Sequence, residues 1–152
     1  MAAVDVLTEI IIERPFAQVA AYAGDPSHAP QWYANIESVN WQSSPPVQLG
    51  SRMDFVARFL GRRLAYTYEV VDLIPSERLV MRTAQGPFPM ETTYTWQPID
   101  DVRTRMTMRN RGEPAGFGKM AAPMLAVAMR RANAKDLTNL KRILERVDPG
   151  LP

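Results

Sequence analysis

The feature that most restricts this chain is its long C-terminal helical pattern. From Phe117 to about Val147, apolar residues recur at three- and four-residue spacing: Phe117, Met120, Ala121, Met124, Leu125 and Ala128. After Asn133 they continue as Leu137, Leu140, Ile143, Leu144 and Val147. A helix of roughly thirty residues is about 45 Å long, too long to be covered by another short element. It needs an extended partner, and the sequence ahead of it offers one. Short segments of alternating polarity, bounded by Gly, Pro and Asp, predict strands. The expected arrangement is a curved antiparallel sheet gripping the helix, with an apolar space between them. The methionines of the stripe suit an irregular or variable apolar surface, since their side chains are flexible and polarizable.

Those segments read in order as one unit over residues 1–152, without repeats or a linker. Val4 to Ile12 alternates as a strand. Pro15 suits the first turn of a short helix with Phe16, Val19, Ala20 and Ala23 on its apolar face. Gly24-Asp25-Pro26 ends that helix and opens a second, from His28 to about Tyr33. Ile36 to Trp41 is the second strand. Four more strands follow with Phe55, Tyr66 and Tyr68, Met81, and Tyr94 and Trp96 on the same parity. The seventh carries Met106, Met108 and Asn110. One face is therefore aromatic and Met-rich and should be covered, while the other is rich in Arg, Thr and Glu and should be wet. The fold class is α+β, with seven strands, two short helices after the first strand, and the long helix last.

Composition removes several functional classes. The chain has no Cys, so it has no disulfide framework, thiolate metal site or Cys nucleophile. Its single His, His28, sits between Pro26 and Pro30 and reads as a capping or solvated residue. No carboxylates are spaced as metal ligands on the inward parity, so neither a metal nor a cofactor is expected. No serine has a recognisable His partner. The Gly112-to-Gly118 segment lacks the lysine ending of a phosphate loop and follows an antiparallel strand. The net charge of +2 does not call for nucleic acid. The outward Arg residues interleave with Glu and Asp and read as a solvated, ion-paired face. Met1 to Ile12 lacks signal-peptide character, and no stretch approaches the roughly eighteen apolar residues of a membrane span. A soluble cytoplasmic protein is expected, with monomer and homodimer both open.

Several local motifs, taken together, resemble a known superfamily. They are Ile12-Glu13-Arg14-Pro15 with Phe16 and Val19, Asp25-Pro26 with Trp32-Tyr33, and Gly50-Ser51-Arg52. To these belong Tyr66-Thr67-Tyr68-Glu69-Val70, Pro75-Ser76-Glu77-Arg78-Leu79, and Tyr94 to Pro98. The chain resembles the START-like, or birch-pollen-allergen-like, superfamily over essentially its whole length, and within it the polyketide cyclase/dehydrase type. The resemblance implies a helix-grip fold. It also implies an apolar ligand, such as a lipid, quinone or aromatic polyketide, held in the helix–sheet cavity.

Parity and spacing give the expected cavity lining as Phe55, Tyr66, Tyr68, Met81, Tyr94, Met106, Met108, Asn110, Met120 and Met124. Trp32, Tyr33, Phe88 and Phe117 are expected at its mouth, where the loops at Gly61, Gly86 and Gly112–Gly118 should gather. The inward set holds hydroxyls and amides but no group titrating near neutrality, so no catalytic residue is assigned. Binding of a hydrophobic or aromatic small molecule is the leading expectation. The alternatives are a cyclase, aromatase or dehydrase, and a protein-interaction module of the same fold.

Overall fold

The computed structural model describes residues 3–117 and 120–146. The elements are β1 (Val4–Ile12), α1 (Phe16–Ala23), a 3-10 turn (Pro26–His28), α2 (Ala29–Trp32), β2 (Ile36–Trp41) and β3 (Arg52–Phe59). They continue as β4 (Arg62–Ile74), β5 (Arg78–Gln85), β6 (Met90–Pro98), β7 (Thr104–Gly112) and α3 (Ala122–Arg146). All seven strands join one antiparallel sheet in the order β1-β7-β6-β5-β4-β3-β2. The long helix follows β7 and lies along β1 and the concave face. This is the helix-grip arrangement.

Register follows from the alternation. Phe55 pairs with Tyr66, Tyr94 with Met108, and Trp96 with Met106. A slip by one residue would turn all of these to solvent. Instead Tyr68, Tyr94, Trp96, Met106 and Met108 are buried and Tyr66 is half-buried. On β1, Val4, Val6 and Ile12 are buried, while Asp5, Leu7, Glu9 and Ile11 face out. The β3–β4 turn places both Leu60 and Gly61 at positive φ, 52° and 79°, as a two-residue hairpin of matching twist requires.

The wet face carries ion pairs. Arg52 meets Glu69 at 2.7 Å, Arg58 meets Glu37 at 2.7 Å, and Arg82 meets Glu91 at 2.8 Å. Arg109 grips Asp5, holding that carboxyl below its usual range. Each exposed pair contributes at most about 1 kcal/mol. Arg78 and Asp72, and Arg103 and Asp100, pair in the same way.

The helix differs from expectation at its beginning. It starts at Ala122 rather than Phe117. Gly116 sits at φ +87°, outside the right-handed helical region, and Phe117 lies in a bend. Val147, the expected last residue, lies outside the described residues. The buried row also runs differently in the first turns: Leu125, Asn133, Asp136, Leu137, Leu140 and Leu144 are buried. Met124 precedes Leu140 by sixteen residues, which places it about 160° away round a helix of 3.6 residues per turn. It is 55% exposed.

The buried leucines and the exposed methionine make opposite predictions. Leu140→Ala, at a fully buried position, should cost about 2–5 kcal/mol in urea denaturation. Met124→Ala should stay within about 0.5 kcal/mol. Equal costs at the two sites would mean the helix is rotated from the face described.

Candidate functional site

Along α3, two apolar clusters meet the sheet and a gap separates them. Leu137, Leu140 and Leu144 join the main core with Ile12, Trp96, Met106 and Met108. Nearer the helix start, Leu125 joins Val4 and Val6 in a smaller cluster, with Phe59, Phe117, Met120 and Met129 packed against it. Between these clusters, Met129, Ala132, Asn133 and Asp136 look across a cavity of about 130 Å³ toward the aromatic face of the sheet. That volume is close to the roughly 150 Å³ of an engineered apolar cavity that takes benzene. It has room for one aromatic ring.

Six of the ten residues expected to line the cavity do so: Phe55, Tyr66, Tyr68, Met81, Tyr94 and Asn110. The other four do not. Met106 and Met108 are fully buried in the main core, at the foot of the sheet's inner face. Met120 precedes the helix and packs in the smaller cluster. Met124 is exposed on the opposite side of α3 for the angular reason given above.

The expected mouth also needs correction. Trp32 is 1% exposed and packs against Tyr33 and Tyr94 in the core. Tyr33 lines the cavity itself. The three glycine-bearing loops do gather. Phe117 meets Phe59 at 5.6 Å and Phe88 at 5.9 Å between ring centroids, and Arg62 lies over its ring at 5.4 Å. Neither Phe88 nor Phe117 lines the cavity, however, so they do not flank an opening to it. Arg58 is the exposed member of the lining; Asn35 and Ile36 beside it and Met129 and Ala132 on the helix are half-buried, as are Tyr33, Phe59, Tyr66, Met90 and Asn110. Solvent therefore reaches the lining at Arg58 on β3, where Asn35, Ile36 and the α3 residues Met129 and Ala132 also line the cavity.

Polar groups in the cavity are arranged in short relays. Tyr68 and Thr92 share a hydrogen bond of 2.9 Å, and Thr92 donates to the Asn110 amide oxygen at 2.6 Å. Tyr33 and Tyr94 bond through their hydroxyls, and Tyr33 donates to the Met108 sulfur at 3.2 Å. One consistent proton order runs from Tyr94 through Tyr33 to Met108. Burial pushes all four cavity phenols upward, Tyr68 to about 12 and Tyr33, Tyr66 and Tyr94 well above their ordinary value. They are neutral hydrogen-bonding groups at physiological pH.

The helix supplies what the relays lack. Asn133, 5% exposed, buries its amide nitrogen with no acceptor among the described residues. One turn on, Asp136 accepts the Ala34 N–H through one oxygen at 2.9 Å. Its other oxygen makes no hydrogen bond among the described residues. Burial pushes this carboxyl up to about 6, against the lowering pull of the Ala34 N–H and of Lys135. A carboxyl on the inner surface corrects the expectation that none would be there. The signal was present: Asp136 lies three residues after Asn133 and four before Leu140, on the buried row. It is absent from the expected lining. His28 accords with its structural reading, with Nδ1 2.8 Å from the Tyr22 carbonyl oxygen and its ring stacked on Tyr22 at 4.3 Å.

Because the native state holds the Asp136 proton more tightly than the unfolded chain does, this group weakens the fold as it ionises. Its relative stabilisation is full below about pH 4 and lost as pH rises through about 6. The stability difference between Asp136→Asn and the parent should therefore widen in favour of the variant across that interval. Asn keeps an acceptor for the Ala34 N–H. A difference that stayed flat from pH 4 to pH 7 would place the carboxyl in water.

Comparison with known proteins agrees with this architecture. The crystal structure of a protein from Thermus thermophilus is 20% identical, with a TM-score of 0.80 over 95% of this chain and 99% of that one. The Zhui aromatase/cyclase from Streptomyces sp. R1128 is 18% identical, with a TM-score of 0.78 over 95% of each chain. A START superfamily protein from Mycobacterium smegmatis is 14% identical, with a TM-score of 0.83 over 95% of this chain and 99% of that one. At these identities the likeness is one of fold. Among curated proteins none matches the sequence. The family model described as polyketide cyclase/dehydrase and lipid transport matches residues 3–145, and the chain belongs to that family.

Proposed function

We propose that this protein binds a small aromatic or otherwise apolar molecule of about one ring in the cavity between the sheet and α3. The observation that carries this reading is the unpartnered Asn133 amide in an aromatic-lined space. A buried donor without an acceptor costs about 1–3 kcal/mol, and a ligand carbonyl or hydroxyl oxygen beside it would remove that cost. Phe55, Tyr66 and Met81 offer apolar contact area, and the Tyr68–Thr92–Asn110 relay offers a second polar point for orientation. Such a balance of apolar wall and few polar groups is typical of small-molecule sites. A larger member of the expected lipid, quinone or polyketide-like class would need the space beside Met129 and Ala132 to widen.

Acetophenone, one ring with one carbonyl, is a suitable probe. Titration into the ¹⁵N-labelled protein should give saturable shifts at the Asn133 side-chain amide and at Thr92. Ala132→Trp, which puts bulk into the lining, should weaken binding at least about tenfold, or about 1.4 kcal/mol. Shifts that scatter over the surface, or binding unaffected by Ala132→Trp, would count against the cavity as the site.

A second reading has its own observation. A carboxyl raised to about 6 in a cavity is protonated often enough near neutrality to give a proton to a ketone oxygen and to take one back, as enolisation and dehydration require. On the cyclase or dehydrase reading, Asp136→Asn should lower turnover of a poly-β-ketone by about 10²- to 10⁴-fold, while acetophenone still binds. The parent's rate should fall as pH rises through about 6. On the binding reading no turnover is seen with either protein.

A further inference from the structure

A second hollow lies beside the C-terminal end of α1 and shares no lining residue with the helix–sheet cavity. Its volume is about 490 Å³ against about 130 Å³ for the cavity, within the roughly 300–1,000 Å³ usual for ligand pockets. One wall is the small-residue face of α1 at Ala21 and Gly24. Pro45 and Pro46 from the β2–β3 loop and Pro75 of the β4–β5 turn also line the hollow. Trp96, 3% exposed, sits at the floor.

Three physical properties define what would fit. The first is shape. A Cβ at Gly24 would meet the Ala20 carbonyl oxygen at 2.6 Å and Trp96 Cη2 at 3.2 Å, so glycine lets the chain lie close to both the end of α1 and the indole. Small residues and rigid prolines in one lining suit a flat ring. The second is rigidity. Each proline fixes its own φ, so this part of the lining is pre-formed and little ordering is needed on binding. The third is charge. Asp25 is the only charged side chain among the described lining residues. Its Oδ1 accepts the Ser27 N–H at 2.9 Å, and its Oδ2 stands 3.9 Å from His28 Nε2. The carboxylate is 41% exposed and belongs to a residue of the cleft lining. An anion would meet only this negative group there.

We infer that this cleft is a second binding site, selective for a planar apolar molecule that carries a protonated amine. The ring packs on Ala21, Gly24, Pro45 and Pro46, and the ammonium group donates to Asp25. Apolar contact provides most of the binding and Asp25 provides the choice of charge, since a half-exposed ion pair alone contributes little.

The test uses two probes with the same ring and opposite charge, 2-naphthylmethylammonium and 2-naphthoate, titrated into ¹⁵N-labelled protein at about pH 7. The amine should shift Gly24, Ser76 and the Trp96 indole N–H saturably, and the acid should bind at least about tenfold more weakly. Ala21→Trp fills the cleft from an exposed helix position and should abolish the amine's shifts. Asp25→Asn keeps an acceptor for the Ser27 N–H and should erase the preference between the probes. Absence of saturable shifts, or a preference that survives Asp25→Asn, would overturn the proposal. So would shifts confined to Asn133 and Asn110, which would place the amine in the helix–sheet cavity. The two sites share no residue, so failure here leaves the acetophenone result standing by itself.

Discussion

The burial of Leu137, Leu140 and Leu144 against Ile12, Trp96, Met106 and Met108 is the contact on which the rest of the molecule depends. It fixes the rotation of α3 about its axis and so decides which side chains look at the sheet. Helical periodicity then carries Asp136, Asn133 and Met129 onto the same side. Leu125 fastens the other end of the row against Val4 and Val6. A rigid helix held at two points above a curved sheet leaves a space where its own side chains do not fill the concavity. The cavity is the remainder of that geometry.

What fills the remainder is chemically uneven. On the sheet, hydroxyls satisfy one another: Tyr68 with Thr92 and Asn110, Tyr33 with Tyr94 and Met108. On the helix, among the described residues, Asn133 lacks an acceptor and Asp136 has one partner for two oxygens. Replacing them with leucine would extend the main core toward Leu125 and close the gap. Local departures from the best core are where functional demands are expected to lie. The polarised side of the cavity is therefore the helix side, and a ligand would be oriented by α3 and packed by the sheet.

The inner-face aromatic residues show how far alternation can be read. Tyr66, Tyr68, Tyr94 and Trp96 took their predicted face because a period of two leaves only two choices, and burial selects one. The rotation of the helix near its start was harder. Met120, Ala121 and Met124 fit an apolar stripe on paper, yet Gly116 sits at positive φ and the helix starts at Ala122, and the stripe before that point has no helical meaning. Met124 then falls outside. Asp136 was not among the expected inward residues, although its spacing puts it on the buried row.

The sequence by itself determined the elements, their order, the face of each strand and the family, because these depend on local periodicity and on motifs spread along the chain. It also located most of the sheet's contribution to the cavity. Only the tertiary structure decided the cavity's size, the exposure of Arg58 in its lining, and the clustering of Phe59, Phe88 and Phe117. It alone revealed the Asp136 carboxyl above its ordinary range and the separate cleft at Asp25 and Trp96. These properties arise from distances between residues far apart in the chain. A void, an orphaned donor and a desolvated carboxyl are each defined by what surrounds them, and no periodicity records the surroundings.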